Sequence, residues 1–277
     1  MIERQYFRLT FVIIICISIL SGILSYFQIP YQFYVWELFI DSKILALMLL
    51  LIFLNRKKAI QIASVKLLLL NWSWKKSIIY FSLPILLYVI VIAAGLLFNG
   101  VLLNKLDNST TLILATLFDI PAIFVFSATS ILIEEIFFRG FLHSTMQQFR
   151  PQWQAIILIS FVWVVYNFSE IIGIEEVNLL KGIIVVSFYF SIGVFCSVLV
   201  SKHNSIWFGY SLRVGLITLA PVIVTSLLSE SDAFFSSESF LFFTEGAIVS
   251  VLLLAIGYIL FRSNIVGSTI VEEKIEN

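Results

Sequence analysis

The run Glu134–Glu135–Ile136–Phe137–Phe138–Arg139–Gly140 sets two adjacent carboxylates at the end of an apolar stretch of about twenty residues, with a guanidinium four residues after the second. On a helix, Glu135 and Arg139 stand at i,i+4 and face each other, so an ion pair can hold Glu135 while Glu134 points about 100° away. One carboxylate is then positioned and the other left to do work. A carboxylate partly desolvated beside a second one is suited to taking a proton from water, the role of a general base. The same charges also fit a plainer role, marking the cytoplasmic end of a span and snorkelling to the interface.

Other groups that do chemistry are few. Glu135 lies sixteen residues before Pro151 and Asn167 sixteen after it, so an antiparallel helix pair turning there brings the two to one level. Sixteen residues rise roughly 24 Å, most of the hydrocarbon thickness, whereas hydropathy puts the glutamates near the inner surface. Arg213, eight residues beyond Ser205 and so about 12 Å into its span, falls where it can pair with Glu134. Asp119, two residues before the helix-distorting Pro121, suits freed backbone donors or an interfacial place. Glu245 lies near the outer end of the last apolar run. Cys16 and Cys196 sit inside apolar runs without ligand or disulfide spacing and read as packing residues. The chain's two histidines, His143 and His203, read as interfacial.

These groups need elements to carry them, and composition says which. Of 277 residues, 60% are hydrophobic and 12% charged, against roughly 45–50% and about 25% in a soluble domain. That apolar excess calls for a membrane, and the chain reads as all-α, a polytopic helix bundle. Seventeen Lys and Arg balance 17 Asp and Glu, so the basic excess of a phosphate-binding surface is missing and no nucleic-acid partner is expected. Stretches near the roughly 20 residues that span hydrocarbon occur at about 8–27, 36–54, 77–98, 112–133, 154–172, 180–201, 205–228 and 240–262. The second is the weakest span, because Glu37, Asp41 and Lys43 crowd its first half; it reads as tilted or partly interfacial.

Lys and Arg mark the cytoplasmic connections. Arg4 and Arg8, the group from Arg56 to Lys76, Arg139 with Arg150, and Lys202 fall on one side, while the opposite connections hold only Lys105 and Lys181 among several acids. Eight crossings with both termini cytoplasmic follow. The stretch from Arg56 to Lys76, with Trp72 and Trp74 among its lysines, reads as lying on the inner membrane surface. Residues 1–277 form a single integral membrane domain with a short frayed tail over 263–277.

The motif Glu134-Glu135-x-x-x-Arg139-Gly140 near the end of a central span resembles the first motif of the type II CAAX prenyl endopeptidase and bacteriocin-processing family, also called CPBP or Abi proteins. In that family an aromatic-x-x-x-His follows in the next span. A later span, opening Ser-hydrophobic-Trp, carries a second His and often an Asn four residues on. Here the corresponding segments read Trp163-Val-Val-Tyr-Asn167 and Ser205-Ile206-Trp207, with Arg213 and Ile217 at the later positions. The resemblance covers about residues 112–228. It implies eight helices around an intramembrane site where a glutamate, helped by one histidine, activates water while the second histidine and the Asn stabilise the oxyanion.

Asn167 and Arg213 stand where the two histidines are expected. Asn167 can orient water or donate one hydrogen bond but cannot exchange a proton. Arg213 can donate to an oxyanion, yet it also draws the carboxylates into an ion pair that weakens them as bases. A hydrolytic zinc site normally uses three protein ligands, and these carboxylates without intramembrane histidines make a poor one, so no metal and no cofactor is expected. The candidate catalytic set is Glu134, Glu135, Arg139, Asn167 and Arg213. The resemblance implies a glutamate-type intramembrane endopeptidase acting on a membrane-associated peptide or protein in a plasma membrane, bacterial by the family. The alternative is a catalytically degenerate relative that binds another membrane protein. A transporter is a third class, but the internal repeats or paired Gly/Pro-broken spans it would call for are not found.

Overall fold

The computed structural model describes residues 2–26, 32–35, 38–56, 69–97, 128–167, 179–216 and 247–275. Helix α1 runs over Ile2–Tyr26. A short antiparallel hairpin follows, β1 (Gln32–Val35) pairing with β2 (Leu38–Asp41) in the register Gln32 to Asp41. Then come α2 (Ser42–Arg56), α3 (Trp74–Leu97), a composite helix α4 over 128–147, α5 (Gln152–Tyr166), α6 (Leu179–His203), α7 over 207–216, and α8 (Ala247–Ile275). Among the described residues the architecture is helical apart from the hairpin and short connections.

Two expectations change here. The second apolar stretch is not one helix: its residues Leu38–Asp41 form β2, and α2 starts only at Ser42. The charged and aromatic sequence up to Asp41 lacks a helical period, and the fifteen residues of α2 rise only about 22 Å. The tail, expected to fray from Ser263, is instead the continuation of α8 to Ile275. Asp119, Pro121, Glu245, Ile217 and most of the basic stretch between α2 and α3 lie outside the described residues.

Helix α6 is the hub. It packs against α5, α8 and the middle of α4, while α1 lies on α5 and α2, and α8 on α3. Gly182–His203 is long and apolar enough to cross a bilayer, and shorter apolar segments occupy α1, α2, α5 and α8. The core gathers Phe137, Phe138, Phe141, Trp163, Tyr166, Phe195, Leu199, Phe208 and Leu212. Large apolar side chains also face outward, among them Leu20, Leu49, Ile79, Phe161, Leu180 and Ile259. A helix apolar on both faces suits a solvent that is itself apolar, as in a membrane.

The turn from α6 into α7 sets the start of the helix that carries Arg213. Asn204 adopts φ 48°, a left-handed conformation that Asn tolerates, and its carbonyl accepts a 3.0 Å bond from Asn71 Nδ2. Ser205 Oγ then accepts the Trp207 backbone N–H at 3.3 Å, the bond of an N-cap. The Trp207 indole donates to Leu69 O at 2.7 Å. The family-like Ser205-Ile206-Trp207 opening is thus a capping device that ties the base of α7 to the chain ahead of α3.

Candidate functional site

Helix α4 changes its winding at the motif. Residues 128–135 are α-helical, Ile136–His143 form a π-helix, and Ser144–Gln147 return to α. A plain α-helix was expected; the π segment closes its backbone bonds over five residues instead of four, a geometry often met at functional sites. Carbonyls at the return to α are taken up locally. Ser144 Oγ donates to Gly140 O at 2.6 Å and Thr145 Oγ1 to Phe141 O at 2.8 Å. Glu135 and Arg139 still face each other across this turn, with Arg139 Nη1 3.3 Å from Glu135 Oε1 and both side chains fully buried.

Arg213 comes in from α7 and joins both glutamates. Its Nη2 donates to Glu134 Oε2 at 2.6 Å and its Nη1 to Glu135 Oε1 at 3.0 Å. The Trp163 indole of α5 donates to Glu134 Oε2 at 3.2 Å. Both guanidinium carbons lie over the Trp163 ring, Arg139 at 4.9 Å and Arg213 at 4.8 Å from its centroid. Two cations and two anions are therefore buried together around one indole, with no net charge, and the ring face adds cation–π attraction for both arginines.

Of the sequence-predicted residues, Glu134, Glu135, Arg139 and Arg213 are brought into this cluster, and all are buried. Neither carboxylate is left free: Arg213 pairs with Glu134, as its depth along its span predicts, and also with Glu135, which Arg139 holds too. Glu134 accepts from Arg213 and Trp163, whereas Glu135 Oε2 has no hydrogen-bond partner. Asn167 is buried but serves a different purpose. It ends α5, and its Nδ2 donates to Trp163 O at 2.7 Å, a C-terminal cap one turn beyond the indole. The predicted approach of Asn167 to a glutamate is not made by any hydrogen bond. One N–H of the Asn167 amide joins the Asn167 backbone N–H on Trp163 O, and it is the Trp163 indole that reaches a carboxylate.

Of the histidines, His143 differs from expectation. His143, read as interfacial, is 1% exposed, because the last turn of the π-helix faces the core. His203 is half-buried at the end of α6, its Nε2 3.0 Å from the Tyr80 hydroxyl and its ring edge-on to Phe208 at 4.9 Å. Cys196 keeps its packing role, fully buried, with Sγ 3.8 Å from Gly209 O.

Sequence reasoning missed Trp163 and Gly209. Trp163 occupies the aromatic position of the second motif, and an indole is the one aromatic side chain there with an N–H to give a carboxylate. Gly209 precedes Arg213 by four residues on one face of α7. A Cβ at Gly209 would lie 3.1 Å from Glu135 Oε2 and 3.2 Å from Cys196 Cβ, so the missing side chain is what lets α7 close on α4 and α6 and lets Arg213 reach across. Among the described residues no group of three His, Cys, Asp or Glu is assembled.

Comparison with known proteins gives one family match. Residues 116–216 fit the sequence model described as Type II CAAX prenyl endopeptidase Rce1-like, a span that takes in both glutamates, Trp163, Asn167 and Arg213. Neither the curated proteins nor the solved structures return a match.

Proposed function

We propose, from the match of residues 116–216, that this chain is a member of the Rce1-like type II CAAX prenyl endopeptidase family, whose members are membrane-embedded. On that premise we propose that this chain engages a membrane-associated peptide or protein through the family's site, with peptide hydrolysis held off by Arg213. The observation that carries this is the pair of bonds from one guanidinium to Glu134 and Glu135. Activation of water asks a carboxylate to accept a proton, and a carboxylate already neutralised by a buried cation does so poorly. Asn167 supplies neither acid nor base, and one of its amide N–H groups caps α5.

A second reading keeps the family activity, a glutamate-type intramembrane endopeptidase. One observation favours it: Glu135 Oε2 is unbonded and points at Gly209, where there is no side chain to block it. In that reading Glu135 takes the proton from water, Arg139 and Arg213 hold it in place, and Arg213 donates to the developing oxyanion. For either reading we propose eight spans with both termini cytoplasmic, from the alternation of basic connections, and a bacterial plasma membrane, from the family resemblance. Reporter fusions at residues 105 and 235 should then report outside, and those at residue 65 and the C-terminus inside.

Glu134→Gln and Glu135→Gln separate the two readings. Each removes the ionisable oxygen and keeps the shape. If the site only binds, cellular phenotype and co-purification of the associated membrane protein persist in both variants. Loss of phenotype in both, at normal abundance and with partner binding retained, refutes the binding reading and makes the site a working peptidase. Asn167→His with Arg213→His restores the family's residue types and should bring cleavage of a membrane substrate if only those two changes silenced it.

A further inference from the structure

Helix α4 carries more unsatisfied polar atoms than its ion pairs account for. Glu135 Oε2, Arg139 Nε and Nη2, and His143 Nδ1 and Nε2 are all buried and have no hydrogen-bond partner, and Arg139 Nη1, though ion-paired to Glu135 Oε1 at 3.3 Å, makes no hydrogen bond either. These atoms belong to three residues at i, i+4 and i+8, the first just before the π segment and the last at its end, so they form one stripe along the helix. All three side chains are at most 1% exposed. The stripe leads from the carboxylate cluster toward the Gln147 end of α4, the side assigned to the cytoplasm.

Leaving such groups dry costs about 1–3 kcal/mol each, and more for charged ones. The chemistry of the stripe says what relieves it. Glu135 Oε2 only accepts, Arg139 only donates, and the imidazole does one of each when neutral. A ligand that joins all three must both donate and accept. The two glutamates and two arginines already cancel, so no net charge remains to draw in an anion or a cation. Water meets both conditions, and a buried water typically takes about three hydrogen bonds from such groups.

We propose that the Glu135–Arg139–His143 stripe is a built hydration site, a short file of ordered waters held along the π-helix and ending on Glu135 Oε2. The π winding sits where the stripe does, and π segments inside α-helices are often met at functional sites. The file brings solvent to Glu135 Oε2, the fully buried carboxylate oxygen that the ion pairs leave open. It follows from the unpartnered atoms and not from any catalytic role, so it holds under either reading of function, and its failure leaves both standing.

Radiolytic hydroxyl labelling of the full chain in lipid nanodiscs tests this directly, because radicals form from waters in place and mark the side chains beside them. His143 is as buried as Phe137, Phe138 and Leu142, which supply the dry reference on the same segment. Labelling at His143 several-fold above its labelling in dehydrated samples, and above those three after correction for intrinsic reactivity, is the expected result. When the bulk is switched to oxygen-18 water shortly before exposure, the label at His143 should lag behind that at exposed Trp72. If His143 labels no faster than Phe137, Phe138 and Leu142, the stripe is dry and the proposal fails. His143→Leu gives an independent reading on Arg139: its labelling should fall if waters bridge the two side chains, and an unchanged value at normal abundance also overturns the proposal.

Discussion

Arg213→Met removes the cation that joins Glu134 to Glu135 while keeping most of the side-chain volume. In the native site this guanidinium makes bonds of 2.6 Å and 3.0 Å to the two carboxylates. After the change Glu134 keeps only the Trp163 indole and Glu135 only Arg139, so two buried anions face one cation. A unit pair at about 4 Å is worth ~4 kcal/mol at an effective dielectric of about 20. Breaking a buried pair from one side costs about 3–5 kcal/mol in practice, because the stranded charge stays desolvated. We expect that loss, a large part of the ~5–15 kcal/mol by which folded proteins are stable, as a lowered denaturation midpoint in detergent and reduced abundance in membranes. The double variant Glu134→Gln with Arg213→Met restores neutrality, with Glu135 against Arg139, and should recover about 1–3 kcal/mol of the deficit as coupling between contacting residues. Wild-type stability in Arg213→Met, or simple additivity in the double variant, would refute the account of a closed ion-pair cluster.

Trp163→Phe keeps a ring for the two guanidiniums but deletes the donor to Glu134, and should cost about 1.5–3 kcal/mol in the same denaturation assay, the usual range for a hydrogen bond to a charged group. Gly209→Ala puts a methyl against Glu135 Oε2 and Cys196 Cβ and should destabilise by about 1–3 kcal/mol, the cost of overpacking; a neutral result would mean that α7 can stand off from α4. Ser205→Ala removes the acceptor for the Trp207 N–H and should cost about 1 kcal/mol, visible as earlier proteolysis at the turn between α6 and α7.

Much of the architecture is legible in composition and hydropathy. Apolar runs at spanning length find helices at α1, α3, α5, α6 and α8, because helix formation in an apolar surrounding is imposed by the need to satisfy every backbone group within the segment. The pairing of Glu135 with Arg139 was readable from their spacing, and that of Arg213 with Glu134 from its depth along its span. Both rest on local helical rise and rotation. Outside this reach lay whatever depends on how helices meet. That Arg213 takes both carboxylates needs Gly209 to let α7 approach, and that Trp163 rather than Asn167 serves Glu134 depends on how the end of α5 is capped. The burial of His143 follows from a π-helix, which no propensity of Ile136–His143 announces and which exists because packing around it settles the backbone register. Spacing along one helix is a local property of the chain and can be computed from residue numbers; the partner of a buried charge is chosen by the neighbouring helices, and only the tertiary structure decides it.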